Sequence, residues 1–217
     1  MPQGYVKSSE LPRIIPVFPL SSALLLPRGL LPLNIFEPRY LNMIDDAMSG
    51  ERLIGMIQSH GGPSDRPGLA RTGCVGRITS YAETTDGCYL ISLTGVMRFR
   101  VIEEVSARLP YRQVKADYTA FEADLVPEPE SLDLDRGRFL AALRLYLDRR
   151  SLGIDWETAQ IAPAEALINS LAMALPFSPV EKQVLLEAPS ALARRDALMS
   201  LMEIDTESGE GNSSAVH

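Results

Sequence analysis

From Pro12 to about Tyr118 the apolar residues come in short runs or alternate with polar ones, and proline and glycine punctuate them. That is the pattern of a β-rich unit with tight connections. Ile14 to Leu20 reads as an extended segment whose Pro16 and Pro19 cannot donate to a ladder, which predicts a sheet edge. Leu24 to Leu33, broken by Pro27 and Pro32, predicts a short strand, a turn and a second strand. Pro38 suits the first turn of a helix that carries Tyr40, Ile44 and Met48 on one face and leaves at Gly50. Arg52 to Gln58 is a compact apolar strand, and His60 to Gly68 an open polar loop.

The clearest hairpin joins Val75–Ala82 to Cys88–Val96 across Thr84-Thr85-Asp86-Gly87, where Asp-Gly predicts a type I′ turn. With Thr85 opposite Cys88, Ile78 and Ala82 share a core face with Ile91, Leu93, Met97 and Phe99. Arg77, Thr79, Arg98 and Arg100 then point to solvent. Gly95 marks a bulge or bend that curls the sheet toward a barrel. Val101 and Ile102 continue the strand, and Tyr111 to Tyr118 adds another.

After Glu122 the spacing turns helical. Phe139, Leu140, Leu143, Tyr146 and Leu147 form one stripe, and that helix ends before Gly153. A helix from about Pro163 carries Leu167, Ile168, Leu171 and Leu175 inward. Ser178-Pro179-Val180-Glu181 combines a capping box with proline at the first helical position. Ser190 caps a last helix with Leu192, Met199 and Met202 inward. The stretch 122–131, with Pro127, Pro129 and several carboxylates, predicts a linker. The fold class is therefore α+β: a flexible N-terminus (1–11), a β unit with one helix (12–121), the linker (122–131), an α-helical unit (132–205) and a disordered tail (206–217).

Composition narrows the class further. The 217 residues suit one large domain or two small ones. At 46% hydrophobic and 23% charged, the chain can bury a core and is not disordered over most of its length. Its 28 acidic and 21 basic residues give a net charge of -7, so no overall positive field holds a phosphate backbone. The only thiols, Cys74 and Cys88, are too few for a disulfide framework or a four-thiolate zinc site, and they predict a cytoplasmic setting. Neither the first ten residues nor Leu20 to Leu33, interrupted by Pro27, Arg28 and Pro32, reads as a signal peptide or membrane span.

Several motifs then fall in a telling order. Ile15-Pro16-Val17-Phe18-Pro19-Leu20, the proline-spaced Leu26-Pro27 to Pro32-Leu33, and the helix with Arg39-Tyr40 resemble the opening of the Lon protease amino-terminal, substrate-binding domain. Gly73-Cys74-Val75-Gly76 leading into the Asp86-Gly87 hairpin, and Gly95 to Val101, are similar to the family's central β signature. Leu175-Pro176-Phe177-Ser178 to Leu186-Glu187, followed by Arg194-Arg195 and Leu198, resembles its closing helices. The likeness runs roughly from Pro12 to Asp205. It implies a PUA-like β-barrel subdomain followed by an α-helical bundle subdomain, which in Lon engages protein substrates and helps organise the hexamer. In full-length Lon this region precedes an ATPase and a Ser-Lys peptidase, and this chain ends before either could fit. No G-x-x-x-x-G-K-[ST] occurs, because none of Lys7, Lys115 and Lys182 follows a glycine. The expectation is a free-standing, noncatalytic module with no cofactor.

Other chemistries find little footing. A Cys-His nucleophile would need Cys74 or Cys88 to approach His60. These three residues lack a recognised metal-ligand spacing, so no metal is expected. Ser178 and Lys182 lie four apart, but a capping box and a solvent-facing helix turn account for them. RNA binding through Arg77, Arg98 and Arg100 is the alternative from another class. The favoured reading is binding of unfolded or partner proteins, a protease or chaperone among them, through exposed apolar surface beside a strand edge. The candidate residues are Leu24, Leu25, Leu26, Pro27, Leu30, Leu31 and Phe36, with the role of an adaptor or quality-control factor in proteolysis.

Overall fold

The computed structural model describes residues 5–62, 67–106, 108–127 and 134–210, with 206–210 described by backbone alone. Its contacts divide the chain into two compact units, Met1–Pro127 and Glu128–His217.

The first unit holds six strands: β1 (Ile14–Pro19), β2 (Leu30–Ile35), β3 (Leu53–His60), β4 (Gly68–Glu83), β5 (Tyr89–Val105) and β6 (Arg112–Asp117). Their order is β2-β5-β4-β3-β1-β6, and β6 returns to pair with β5. Five strands thus close a ring, and β2 stands outside it. The length of β5 makes this possible: Tyr89–Thr94 pairs with β2, and Arg100–Val105 pairs with β6. Between the halves the register against β4 shifts, because Val75 faces Met97 and Gly76 faces Gly95, leaving Val96 as the extra residue. That bulge, beside the glycine where a bend was expected, turns the strand.

Three sequence expectations are corrected here. The prolines of β1 do not place it at an edge. Pro16 pairs only toward β6 and Pro19 only toward β3, so each proline needs a partner on one side. Leu24 to Pro27 forms no strand. Its chain turns at Leu26–Gly29, where the Gly29 N–H donates to the Leu26 carbonyl at 2.9 Å. Nor is the β4–β5 turn type I′. The Gly87 N–H donates to the Thr84 carbonyl at 3.0 Å, and Gly87 alone in that turn has positive φ (77°). The loop is a three-residue connection, so Glu83 pairs with Tyr89 and the register differs by one from the expected pairing. Ala82 accordingly faces Leu90 and is exposed, and a second shift near Thr79 returns Ile78 to the core opposite Leu93.

Ile15, Val17, Val75, Met97, Phe99 and Val114 fill the ring. Phe99 requires Gly73 across the sheet, since a Cβ there would sit 2.6 Å from the Phe99 ring. Helix α1 (Pro38–Met48) buries Tyr40, Met43, Ile44 and Ala47, and Tyr40 packs on Phe18 with ring centroids 4.3 Å apart. The N-terminal residues also join this unit. Leu11 is buried in the core, Tyr5 packs against it, and Ser8–Glu10 forms a 3-10 turn. At the other end Thr119–Leu125 is a 3-10 segment that buries Phe121 and Asp124, so the first part of the expected linker is ordered structure. Residues 128–131 of that linker lie outside the described residues.

The second unit consists of α2 (Arg136–Arg150), α3 (Trp156–Ile161), α4 (Ala164–Ala174), α5 (Pro179–Glu187) and α6 (Ala191–Glu210). Helix α6 touches α2, α4 and α5. Phe139, Leu143, Tyr146, Leu147, Ile168, Leu185, Leu198 and Met202 form its buried interior. Leu192, expected inside, is exposed, and Leu198 fills the interior instead. Helix α6 runs on through Glu210, into the stretch expected to be a disordered tail; residues 211–217 lie outside the described residues. Helix α2 ends at Arg150, before Gly153 as expected, with Ser151 in the left-handed region (φ 53°) as its cap. Helix α3 is too short for periodicity to reveal, and its cap carries the signal: the Asp155 carboxylate accepts from the Glu157 and Thr158 N–H groups.

Helix ends leave carbonyls without partners, and here three basic side chains reach four of them. Arg136 donates to the carbonyls of Ala159 and Ala162 at 2.8 and 2.7 Å. Arg194, itself buried, donates to the Leu185 carbonyl and to Asn169 Oδ1, both at 2.9 Å. Lys182 Nζ lies 3.4 Å from the Met173 carbonyl. Lys182 is therefore buried and not solvent-facing, which corrects the sequence reading.

Desolvation holds the Lys182 ammonium below its ordinary pKa. In the window between that lowered value and the unfolded one, the unfolded chain binds more protons, so stability rises with pH there. Lys182→Met should stabilise the helical unit most near neutral pH, and its advantage should shrink as pH rises toward 10. Denaturation followed by Trp156 fluorescence, the single tryptophan, checks this. Parallel pH profiles for the two proteins would refute it.

Candidate polypeptide-binding surface

The seven apolar residues singled out in the sequence separate by burial. Leu24, Leu25, Leu26 and Pro27 are buried in the first unit, with Leu25 packed against Gly76 and the Leu26 carbonyl against Gly95. They are core and present nothing to a partner, because the chain between β1 and β2 packs onto Gly76 of β4 and Gly95 of β5. Leu30 (62% exposed) and Phe36 (65%) remain on the surface, and Leu31 is half-buried.

Register explains the split. In an antiparallel pair, directly opposed residues share a face. Leu31 and Leu33 oppose Leu93 and Ile91, which are buried. Leu30, Pro32 and Asn34 oppose Thr94, Ser92 and Leu90 on the outer face. The next strand continues these rows with Arg77, Ser80 and Ala82. The rows ending in Ser80 and Ala82 contain no charge, and Leu90 is 47% exposed within them. Among the described strands β2 pairs with β5 alone, so its far edge faces no strand. Leu90 is a contributor that sequence reading did not name, although alternation with Ile91 and Leu93 already put it on the outer face.

Arg98 does point away from the barrel interior, yet the face there is not wet. The 3-10 segment covers it. Arg98 Nε and Nη2 donate to the two Asp124 carboxylate oxygens at 2.8 and 2.7 Å, and the Arg98 N–H donates to Oδ2 at 3.0 Å. Arg98 is 3% exposed and Asp124 6%. The guanidinium also lies over the Phe121 ring, 4.7 Å from its centroid. Arg100 is exposed and 5.8 Å from the same ring, and Arg77 stacks 5.8 Å from the Tyr5 centroid. The three arginines thus do not form one basic surface.

The nucleophile candidates are not assembled either. Cys74 pairs opposite Met56, while His60 lies four residues further along β3 opposite Gly68, about 13 Å at strand rise. His60 Nε2 is engaged with the Leu69 carbonyl at 3.0 Å. Desolvation and the Asp86 carboxylate raise the pKa of the Cys88 thiol, the reverse of an activated thiolate. Ser178 Oγ accepts from the Glu181 N–H as a helix cap. Among the described residues no group of three His, Cys, Asp or Glu side chains could hold a metal, and no helix is long and apolar enough to cross a membrane.

Comparison with known proteins agrees with this architecture. Residues 14–203 match the model of the ATP-dependent protease La (LON) substrate-binding domain. Lon protease 2 of Myxococcus xanthus is 29% identical over 119 residues, covering 54% of this chain and 14% of that protein. Lon protease 2 of Sorangium cellulosum is 27% identical over 197 residues, covering 87% of this chain and 24% of the relative. The chain thus spans a quarter or less of these relatives. Among solved structures, the Lon N-terminal domain protein from Xanthomonas campestris is similar at TM-score 0.60 and 25% identity, covering 86% of this chain and 97% of that one. The N-terminal domain of Mycobacterium avium complex Lon protease shares the fold at TM-score 0.61 and 18% identity, covering 88% and 98%.

Proposed function

Because the chain belongs to the family of the Lon protease substrate-binding domain, we propose that it is a noncatalytic polypeptide-binding module that holds unfolded or partner proteins as an adaptor or quality-control factor in proteolysis. One observation carries this reading: the free edge of β2 lies beside an outer face that exposes Leu30 and Leu90, with Phe36 exposed just past the strand, and that carries no charge in the rows ending in Ser80 and Ala82. An extended chain can add main-chain hydrogen bonds at such an edge and bury apolar side chains on the adjacent face. Pro32 withholds one N–H from that edge, a common guard against uncontrolled pairing, so apolar contact must supply much of the affinity. Two cysteines, neither of them in a disulfide, fit a cytoplasmic setting. The RNA-binding alternative is weakened, because its central residue, Arg98, is withdrawn into a buried ion pair.

Binding of a reduced, carboxymethylated unfolded protein, read by fluorescence anisotropy, tests the proposal. The double variant Leu30→Glu, Leu90→Glu should weaken binding at least tenfold and shift Tm little, since both side chains are already in water. Unchanged binding in that variant, RNase-sensitive capture of clients, or ATP-dependent cleavage of casein by the purified chain would each overturn the assignment.

A further inference from the structure

One end of the outer face differs from the rest. The row Leu30–Thr94–Arg77 ends in a charge, and a groove of about 260 Å³ opens there. Its apolar wall consists of Tyr5, Val96, Leu125 and Pro127. The β5 bulge brings Val96 to the groove, and the 3-10 segment brings Leu125.

The described lining carries three charged residues, Arg28, Arg77 and Asp124, and the Glu51 and Glu10 carboxylates also act on Tyr5. Among the described residues Asp124 is the one acid in the lining, and both its carboxylate oxygens are taken by Arg98. Arg77 stacks on Tyr5, and among the described residues no carboxylate pairs with it. Arg28 stands in the lining with its Nη1 donating to the Asp124 carbonyl. Counted over the described lining residues, two arginines stand against one carboxylate that Arg98 already neutralises, so this lining is cationic in a chain of net charge -7. The Thr79 and Thr94 hydroxyls, 3.0 Å apart, add polar groups beside Arg77.

Size and chemistry together select an occupant. The volume lies below the roughly 300–1,000 Å³ of ordinary ligand pockets, which leaves room for a residue or two. An apolar wall beside a guanidinium matches a group that joins a hydrocarbon side chain to a carboxylate, and Arg is well suited to carboxylate recognition. The main chain of a polypeptide carries a carboxylate only at its end. We infer that this groove receives the carboxyl terminus of a bound polypeptide whose last residue is apolar, the rest of the segment running back over the uncharged face toward β2. This rests on the polypeptide-binding reading above and names which part of the client is held. A nucleic acid is the poorer occupant, because repeated phosphates need a track of cations and the rows beyond Arg77 carry none.

The test uses the full chain and two ten-residue peptides labelled at the N-terminus and ending in leucine, one a free acid and one the C-terminal amide. The free acid should bind at least tenfold more tightly by anisotropy. Arg77→Gln should remove that difference, and Arg77→Lys should retain part of it. Amide NMR shifts induced by the free acid should centre on Thr79, Thr94 and Val96 in the wild-type chain, which keeps the test decisive even if Arg77→Gln folds poorly. Equal affinity for acid and amide, a footprint elsewhere, or occupation of the groove by a single-stranded RNA ten-mer would overturn the inference. If the unfolded protein still binds in that case, the polypeptide-binding reading stands and only the terminal-carboxylate assignment falls.

Discussion

Gly95→Ala is expected to destabilise the β unit by about 3–5 kcal/mol, from backbone overlap and lost hydrogen bonds. A Cβ at this position would lie 2.0 Å from the Leu26 carbonyl oxygen and 2.8 Å from its carbon. Both obstacles are backbone, so no rotamer change relieves them. Gly95 is also bonded on both sides of the peptide: its N–H donates to the Gly29 carbonyl and its carbonyl accepts from the Arg28 N–H, each at 2.8 Å. Moving the Leu26–Gly29 turn away breaks both bonds and lifts Leu24, Leu25 and Leu26 out of the core. Gly50→Ala is the control, because its Cβ would meet nothing closer than 3.7 Å, and its effect should stay within about 0.5 kcal/mol. Urea denaturation monitored by circular dichroism distinguishes them. A Gly95→Ala protein with wild-type midpoint would mean that the turn is not held against β5 as described.

The same turn shows what sequence could and could not convey. Pro27 announces that the chain breaks, and Gly95 announces a bend, but neither residue alone says that the two features touch, and Pro32, read as a second break, lies within β2. Periodicity reports which residues are apolar; it does not report whether a proline-broken apolar run covers the sheet or extends it. Leu24–Leu26 and Leu30 therefore look alike in the sequence and have opposite fates. The hairpin illustrates a second limit. Asp86-Gly87 correctly marks a turn, yet one residue of loop length decides register, and one residue of register moves every side chain to the other face. Two later bulges, at Thr79 and Val96, restore the alternation, so Ile78, Leu93, Met97 and Phe99 reach the core as expected while Ala82 does not. The helical unit was more legible because its signals are local. The Ser178–Glu181 capping box and the Phe139–Leu147 stripe each depend on residues within three turns of one another. Lys182 and Arg194 were not legible at all, since helix-end carbonyls from other segments decide their burial.

Asp124→Ala is expected to cost about 3–5 kcal/mol, the range for breaking a buried ion pair by removing one partner. The loss is large because Arg98 remains charged and buried when its acceptor disappears; the two guanidinium bonds and the backbone bond to Asp124 all vanish together. Replacing both partners gives the opposite forecast. Arg98→Met with Asp124→Leu removes the desolvation cost along with the attraction, so the double variant should be close to neutral or more stable than wild type. The double-mutant cycle then isolates the coupling from the packing of each side chain. A structural consequence accompanies the energetic one. Asp124 ties Thr119–Leu125 to β5, and Leu125 supplies part of the groove wall. Asp124→Ala should therefore raise amide exchange across that 3-10 segment and weaken free-acid peptide binding, whereas the double variant should restore protection while leaving Arg77 in place. If Asp124→Ala shifts Tm by no more than a degree or two, the pair is not the anchor of that segment, and the geometry of the groove must be held by the apolar contacts of Phe121 and Leu125 instead.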